Sequence, residues 1–155
     1  MKVELKINGT KKQLEVSPDE YLVDTLRNEG YKSVKKGCDT GACGCCTVHM
    51  DGKAILSCVT LTAKAAGHEI TTIEGVREKA NVVGEFLVDE GVDQCGYCST
   101  GLIMNILYME KELVNPTDEE ILHYLSGNLC RCTGYTGQLR AIKKYLEAKN
   151  HEDSK

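Results

Sequence analysis

No apolar run in these 155 residues approaches the length needed to cross a bilayer. The start, Met1-Lys2-Val3-Glu4-Leu5-Lys6, alternates charged and apolar residues and lacks the apolar stretch of a signal peptide. Lys and Arg do not cluster into the basic surface that nucleic acid requires, and the formal net charge is −4. Lys32, Lys35 and Lys36 form one small basic group, read here as a solvated loop. No P-loop, dinucleotide fingerprint or Ser-His-Asp set is present, so phosphate-cradling and triad chemistry have no foothold. His49, His68, His123 and His151 are isolated, with no Cys-x-His pair, and each is expected at the surface. There is no internal repeat.

What the chain has instead is cysteine, nine in all. With no export signal the expected compartment is the cytoplasm, where thiols stay reduced. Nine cysteines there point to metal binding or redox chemistry rather than a disulfide framework. They fall into two groups in different halves. Each half is about 75 residues, a size at which an apolar core alone stabilises only weakly. A metal centre in each would add folding free energy.

Residues 2–8 alternate as a strand, Asn8-Gly9 signals a hairpin, and residues 11–16 read as the returning strand. Ser17-Pro18-Asp19 is a turn able to cap a helix over residues 21–28, which Gly30 ends. Residues 31–47 are expected to be irregular. A second hairpin is expected around Asp51-Gly52, and a short strand over 70–73. The pattern changes after Gly75. Helical spacing marks residues 82–90, 102–111, 118–125 and 139–148, and Thr117-x-x-Glu120 is a capping box. Residues 76–81 read as a connection and 150–155 as a frayed tail. The fold class is therefore α+β: a small mixed sheet with a helix (residues 1–75), then a four-helix unit (76–149).

In the first group four and then two residues separate Cys38, Cys43 and Cys46, and Cys58 follows after eleven more. The tight run has the plant-type spacing of a [2Fe–2S] cluster. Three thiolates from one loop must wrap a compact core, and Gly37, Gly41 and Gly44 permit the turning and close approach this needs. Backbone N–H groups freed by the turn offset the cluster charge, about −2 and rising to about −3 on reduction. The alternative is a four-cysteine zinc site, which usually shows two similar close pairs. Cys45 is left over as a small buried thiol, though it could replace Cys46 as ligand. In the second group Cys95-x-x-Cys98 and Cys130-x-Cys132 each precede an expected helix, whose N-terminus favours an anion. Spacing alone leaves three readings open here: a cluster, a zinc site, or a thioredoxin-type redox pair at Cys95 and Cys98.

Three motifs then carry a resemblance over nearly the whole chain: Gly-Cys-Asp-Thr-Gly-Ala-Cys-Gly-Cys-Cys-Thr-Val at 37–48, Gln-Cys-Gly-Tyr-Cys-Ser-Thr-Gly at 94–101, and Gly-Asn-Leu-Cys-Arg-Cys-Thr-Gly-Tyr at 127–135. The chain resembles the small iron–sulfur subunit of the xanthine oxidase family of molybdenum hydroxylases. The resemblance implies a plant-ferredoxin-like β-grasp domain followed by a four-helix domain, each with a [2Fe–2S] cluster. The ligands it implies are Cys38, Cys43, Cys46 and Cys58, then Cys95, Cys98, Cys130 and Cys132. It implies a large partner subunit whose molybdopterin cofactor meets Gln94 and Cys132, and a flavin (FAD), usually on a third subunit, that receives electrons from the first cluster. This chain would hold no substrate site, and its residues do not select among a purine, an aldehyde, an N-heteroaromatic or carbon monoxide. It departs from the family at Ser99-Thr100, where Ser-Pro or Thr-Pro is usual, and at Cys45, where Ala is usual. The first is expected to loosen the site slightly, the second to invite oxidation. A free ferredoxin-like carrier and a two-zinc structural protein are the competing functions.

Overall fold

A computed structural model describes residues 1–153, with residues 154 and 155 outside it. Strand β1 (Lys2–Ile7) buries Val3, Leu5 and Ile7 and exposes the charged residues between them. It turns at Asn8-Gly9, both at positive φ, into antiparallel β2 (Thr10–Glu15). Helix α1 (Leu22–Asn28) buries Leu22, Val23 and Leu26. Its N-cap is Tyr21 with no side-chain cap, so Ser17 and Asp19 form a turn that does not cap it. Gly30, at φ 95°, ends it as expected.

Strands β3 (Thr47–Met50) and β4 (Lys53–Leu56) form the second hairpin, and β5 (Glu69–Thr71) slots between β1 and β3. The sheet order is β2-β1-β5-β3-β4, with β5 parallel to β1 and antiparallel to β3. Leu5, Ile7, Val48, Ile70 and the α1 leucines form one core, which takes in Cys46 and Cys58.

The connection is not an open linker. A 3-10 turn at Ile73–Val76 runs straight into helix α2 (Arg77–Asp89), which starts five residues before the expected 82. Asn8 fixes the crossing: its side chain donates to Thr72 Oγ1 at 2.9 Å and accepts from Thr72 N–H at 2.9 Å. Helices α3 (Ser99–Glu112), α4 (Asp118–Tyr124) and α5 (Thr136–Asp153) complete the helical half. The Thr117/Glu120 capping box opens α4. Residues 150–153, expected as tail, are helical; 154 and 155 lie outside the described residues. A second core gathers Val83 and Leu87 of α2, Ile106 and Leu107 of α3, Ile121 of α4 and Ile142 of α5. Among the described residues no helix is long and apolar enough to cross a membrane.

The two cores meet where α3 packs on β3. His49, expected at the surface, is buried there, its Nε2 2.7 Å from the Met104 carbonyl and its ring tilted toward Tyr108. Alternation along β3 sets His49 on the face opposite Val48, which would be solvent in an isolated sheet, and the helical half covers that face.

Candidate iron–sulfur centres

The first cysteine group lies on the irregular stretch between α1 and β3, and Cys58 on the 3-10 turn after β4. Gly41 and Gly44 take positive φ, which turns the loop back on itself. The turning leaves N–H groups aimed at sulfur. Cys43 N–H lies 3.4 Å from Cys38 Sγ. The N–H groups of Thr40, Cys43 and Ala42 together hold the Cys38 thiol down to about 6. Burial pushes Cys58 up to about 12; the Cys46 thiol beside it adds to this, and the Gly41 N–H opposes it. Cys43, Cys46 and Cys58 are buried, and Cys38 is half-buried.

Cys45 lies beside the Cys43 thiol: a Cβ on Gly37 would lie 3.0 Å from Cys43 Sγ and 3.2 Å from Cys45 Sγ. It is buried, its thiol is directed at the Cys43 carbonyl 3.9 Å away, and burial pushes it up to about 12. Its burial works against the oxidation expected at this position.

The second group gathers from two loops. Cys95 and Cys98 sit on the turn before α3, Cys130 and Cys132 on the loop before α5. Burial and the neighbouring Cys130 thiol push Cys98 up to about 12. Burial also works to raise Cys130, but the Thr133 hydroxyl, 3.3 Å from its Sγ, and the N–H groups of Cys132 and Thr133 leave it lowered. Cys95 is lowered, by the Tyr97 N–H first and the Cys132 thiol next, and Cys132 is raised, by the Cys95 thiol first. Tyr135 braces the loop at φ 71°, its hydroxyl oxygen accepting from Cys130 N–H at 3.1 Å. Gln94, Cys95 and Cys132 are exposed, so this site opens to the surface along one edge.

Both donor sets fit an anionic multi-iron core. All the side-chain donors are thiols, and backbone or hydroxyl hydrogens supplement them as a net negative charge demands. Among the described residues no three Cys, His, Asp or Glu side chains converge as one metal ion requires.

The two sites are locked together by contacts that the cysteine spacing did not reveal. Leu129 N–H, next to Cys130, donates to the Cys43 carbonyl at 3.0 Å. A Cβ on Gly44 would lie 2.5 Å from both Asn128 Nδ2 and the Gly127 carbonyl, and one on Gly101 would lie 2.1 Å from the Gly44 carbonyl. The departure at Ser99-Thr100 is used: Thr100 Oγ1 donates to the Ser33 carbonyl at 2.9 Å and Ser99 Oγ to Asp93 at 2.6 Å. Lys35, expected to be solvated, is half-buried and reaches the Gly96 carbonyl at 2.8 Å. The nearest sequence signal for these seam residues was the small residue at 101, which is unfavourable in a helix unless something approaches closely.

Comparison with known proteins agrees with this geometry. A family model described as a 2Fe-2S iron-sulfur cluster binding domain matches residues 5–70, and one described as a [2Fe-2S] binding domain matches residues 72–143. The nicotinate dehydrogenase small FeS subunit of Eubacterium barkeri is 38% identical over 148 residues, covering 94% of both chains. The xanthine dehydrogenase iron-sulfur-binding subunit of Escherichia coli O157:H7 is 46% identical, covering 86% of both. Among solved structures, quinoline 2-oxidoreductase from Pseudomonas putida 86 superposes with a TM-score of 0.88 at 36% identity, over 97% of this chain and 96% of that one. Aldehyde oxidoreductase from Desulfovibrio gigas also gives 0.88, at 34% identity, over 98% of this chain but 17% of that one. With two cluster-binding domains in this order and relatives that are small subunits of dehydrogenases, the chain belongs to the small iron–sulfur subunits of the xanthine oxidase family of molybdenum hydroxylases.

Proposed function

We propose that Cys38, Cys43, Cys46 and Cys58 hold one [2Fe–2S] cluster on a domain spanning residues 1–75, and that Cys95, Cys98, Cys130 and Cys132 hold a second on a domain spanning 76–149. The chain is an electron-transfer subunit, and the clusters, when bound, supply one-electron carriers. Gln94 and Cys132 meet the molybdopterin cofactor of a large partner subunit; their exposure beside the second site supports this. The first site faces outward at Cys38 and serves a flavin, carried on a third subunit, in a complex that works in the cytoplasm. The residues of this chain bind the irons, supply N–H groups to the sulfurs and exclude water from the first site, where Cys43, Cys46 and Cys58 are buried.

The observation that carries this reading is the Leu129–Cys43 hydrogen bond, which joins a residue adjacent to one site with a cysteine of the other in a single contact. The natively purified complex should contain about four irons and four acid-labile sulfides per copy of this chain. Its reduced form should show two electron paramagnetic resonance signals, of which Cys95→Ala removes one and Cys38→Ala the other. Zinc in place of iron, or one variant abolishing both signals while iron at the other site persists, would refute the assignment.

A further inference from the structure

We propose that Lys35 is a charge-compensating positioning residue: it is carried by the first cluster's loop but sets the reduction potential of the second cluster. This rests on the cluster assignment above. Lys35 belongs by its backbone to the first site, since its N–H points to the Cys45 carbonyl at 3.4 Å and it stands three residues before Cys38. Its side chain leaves that site. The ammonium donates to the carbonyl of Gly96, at 2.8 Å, inside the Cys95-x-x-Cys98 turn. The Tyr97 ring lies under it, 5.2 Å away at the centroid, and the Tyr97 hydroxyl returns a 2.9 Å hydrogen bond to the Lys36 carbonyl. Lysine and tyrosine thus clasp the two loops reciprocally.

The charge in this clasp is not cancelled. Among the described residues no carboxylate pairs with Lys35, whereas Lys36 pairs with Asp24 and Asp39, and Lys12 with Glu29. Asp93, the nearest acid on the turn, accepts from Ser99 Oγ instead. The half-buried ammonium is shielded on one side by the aromatic ring, so solvent screens it incompletely. A fixed cation beside an anionic centre favours its more negative state. Lys35 therefore makes the second cluster easier to reduce, which suits the site that receives electrons from the partner.

The test is a potentiometric titration of the purified complex, with the two reduced signals followed separately and the second cluster's signal identified by its loss in Cys95→Ala. Lys35→Met and Lys35→Gln should lower the reduced-to-oxidised ratio of the second cluster on the order of tenfold at a given potential, which is about 59 mV for one electron. The first cluster should move less, and Lys35→Arg should restore the wild-type value. Gln keeps a hydrogen-bond donor without the charge, so a normal potential in Lys35→Gln with a shifted one in Lys35→Met would overturn the proposal in favour of a purely structural clasp. An unshifted second cluster in Lys35→Met, at full iron content, would overturn it outright. If wild-type complex holds no second cluster, the underlying assignment has failed instead, and the iron and sulfide analysis reports that separately. A Lys35→Met complex that loses iron is judged on Lys35→Gln and Lys35→Arg, whose difference isolates the charge.

Discussion

Replacing Gly101 by alanine should separate the two domains. The added Cβ would sit 2.1 Å from the Gly44 carbonyl oxygen, 2.9 Å from Cys45 Cα and 3.0 Å from the Cys45 carbonyl carbon. All three are backbone atoms, so no rotamer change relieves the clash. To bring the closest contact to an allowed 3.0 Å, α3 and the first cluster loop must part by about 0.9 Å. Overpacking of this kind costs about 1–3 kcal/mol. The movement also strains the Leu129–Cys43 and His49–Met104 hydrogen bonds that cross the same seam, each worth about 1 kcal/mol. Alanine in a helix recovers about 0.5–1 kcal/mol relative to glycine, too little to offset these losses. The net expectation is a destabilisation of about 3 kcal/mol, or roughly 6–12 °C in Tm for a chain of this size. Gly84→Ala, in α2 with nothing within 4 Å of the new Cβ, is the control and should be neutral or slightly stabilising. Because a metal-bearing protein does not unfold as a strict two-state system, both variants are compared at one scan rate with iron content verified. The magnetic interaction between the two reduced clusters, read in the same samples, should weaken in Gly101→Ala alone. Equal Tm values for the two variants would refute the close-packed seam.

Two further expectations concern buried side chains at the same seam. Burial lowers the His49 pKa below its ordinary value, so between the folded value and about 6.5 the unfolded chain binds more protons. His49 thus contributes stability that is complete above about pH 6.5 and lost as pH falls, and His49→Leu should flatten Tm against pH between about pH 7 and 5; unchanged slopes would contradict this. Cys45→Ala should retain the full iron and sulfide content of the wild type, because the first site has its four proposed ligands in Cys38, Cys43, Cys46 and Cys58 and the buried Cys45 thiol donates to the Cys43 carbonyl; loss of half the iron would make Cys45 a ligand.

The elements whose signals are local were legible in the sequence. Alternation at Val3, Leu5 and Ile7, the Asn8-Gly9 and Asp51-Gly52 turns, and the Thr117/Glu120 box each depend on a few neighbouring residues, and each forms where expected. The presence of two iron–sulfur domains was legible in the cysteine groups because ligand spacing reflects a loop's own reach. What failed to show was long-range. Helix α2 starts at Arg77 because the 3-10 turn and the Asn8 clasp hand the chain directly into it, and no residue near 77 announces that. His49 and Lys35 read as solvent-facing since each looks polar in a local window. Both are covered only when the other half of the chain arrives, 55 residues away for His49 and 61 for Lys35.

That coverage bears on why the two halves are joined at all. Each core is small, and a small core is marginal alone. Here the surface that each half would have to leave solvated is used by the other: β3 lends His49 to α3, the first loop lends Lys35 to the second, and Leu129 caps a carbonyl of the first loop. A seam made of backbone carbonyls and hydrogen-bonding side chains, with glycine at its closest approach, fixes separation more tightly than an apolar interface that can slide. Electron transfer depends steeply on the distance between carriers, so the rigidity that offsets the small cores is also what the relay requires. The stability of the joined halves and the rate of transfer between their clusters should therefore fall together in variants of this seam, and independently in variants of either core.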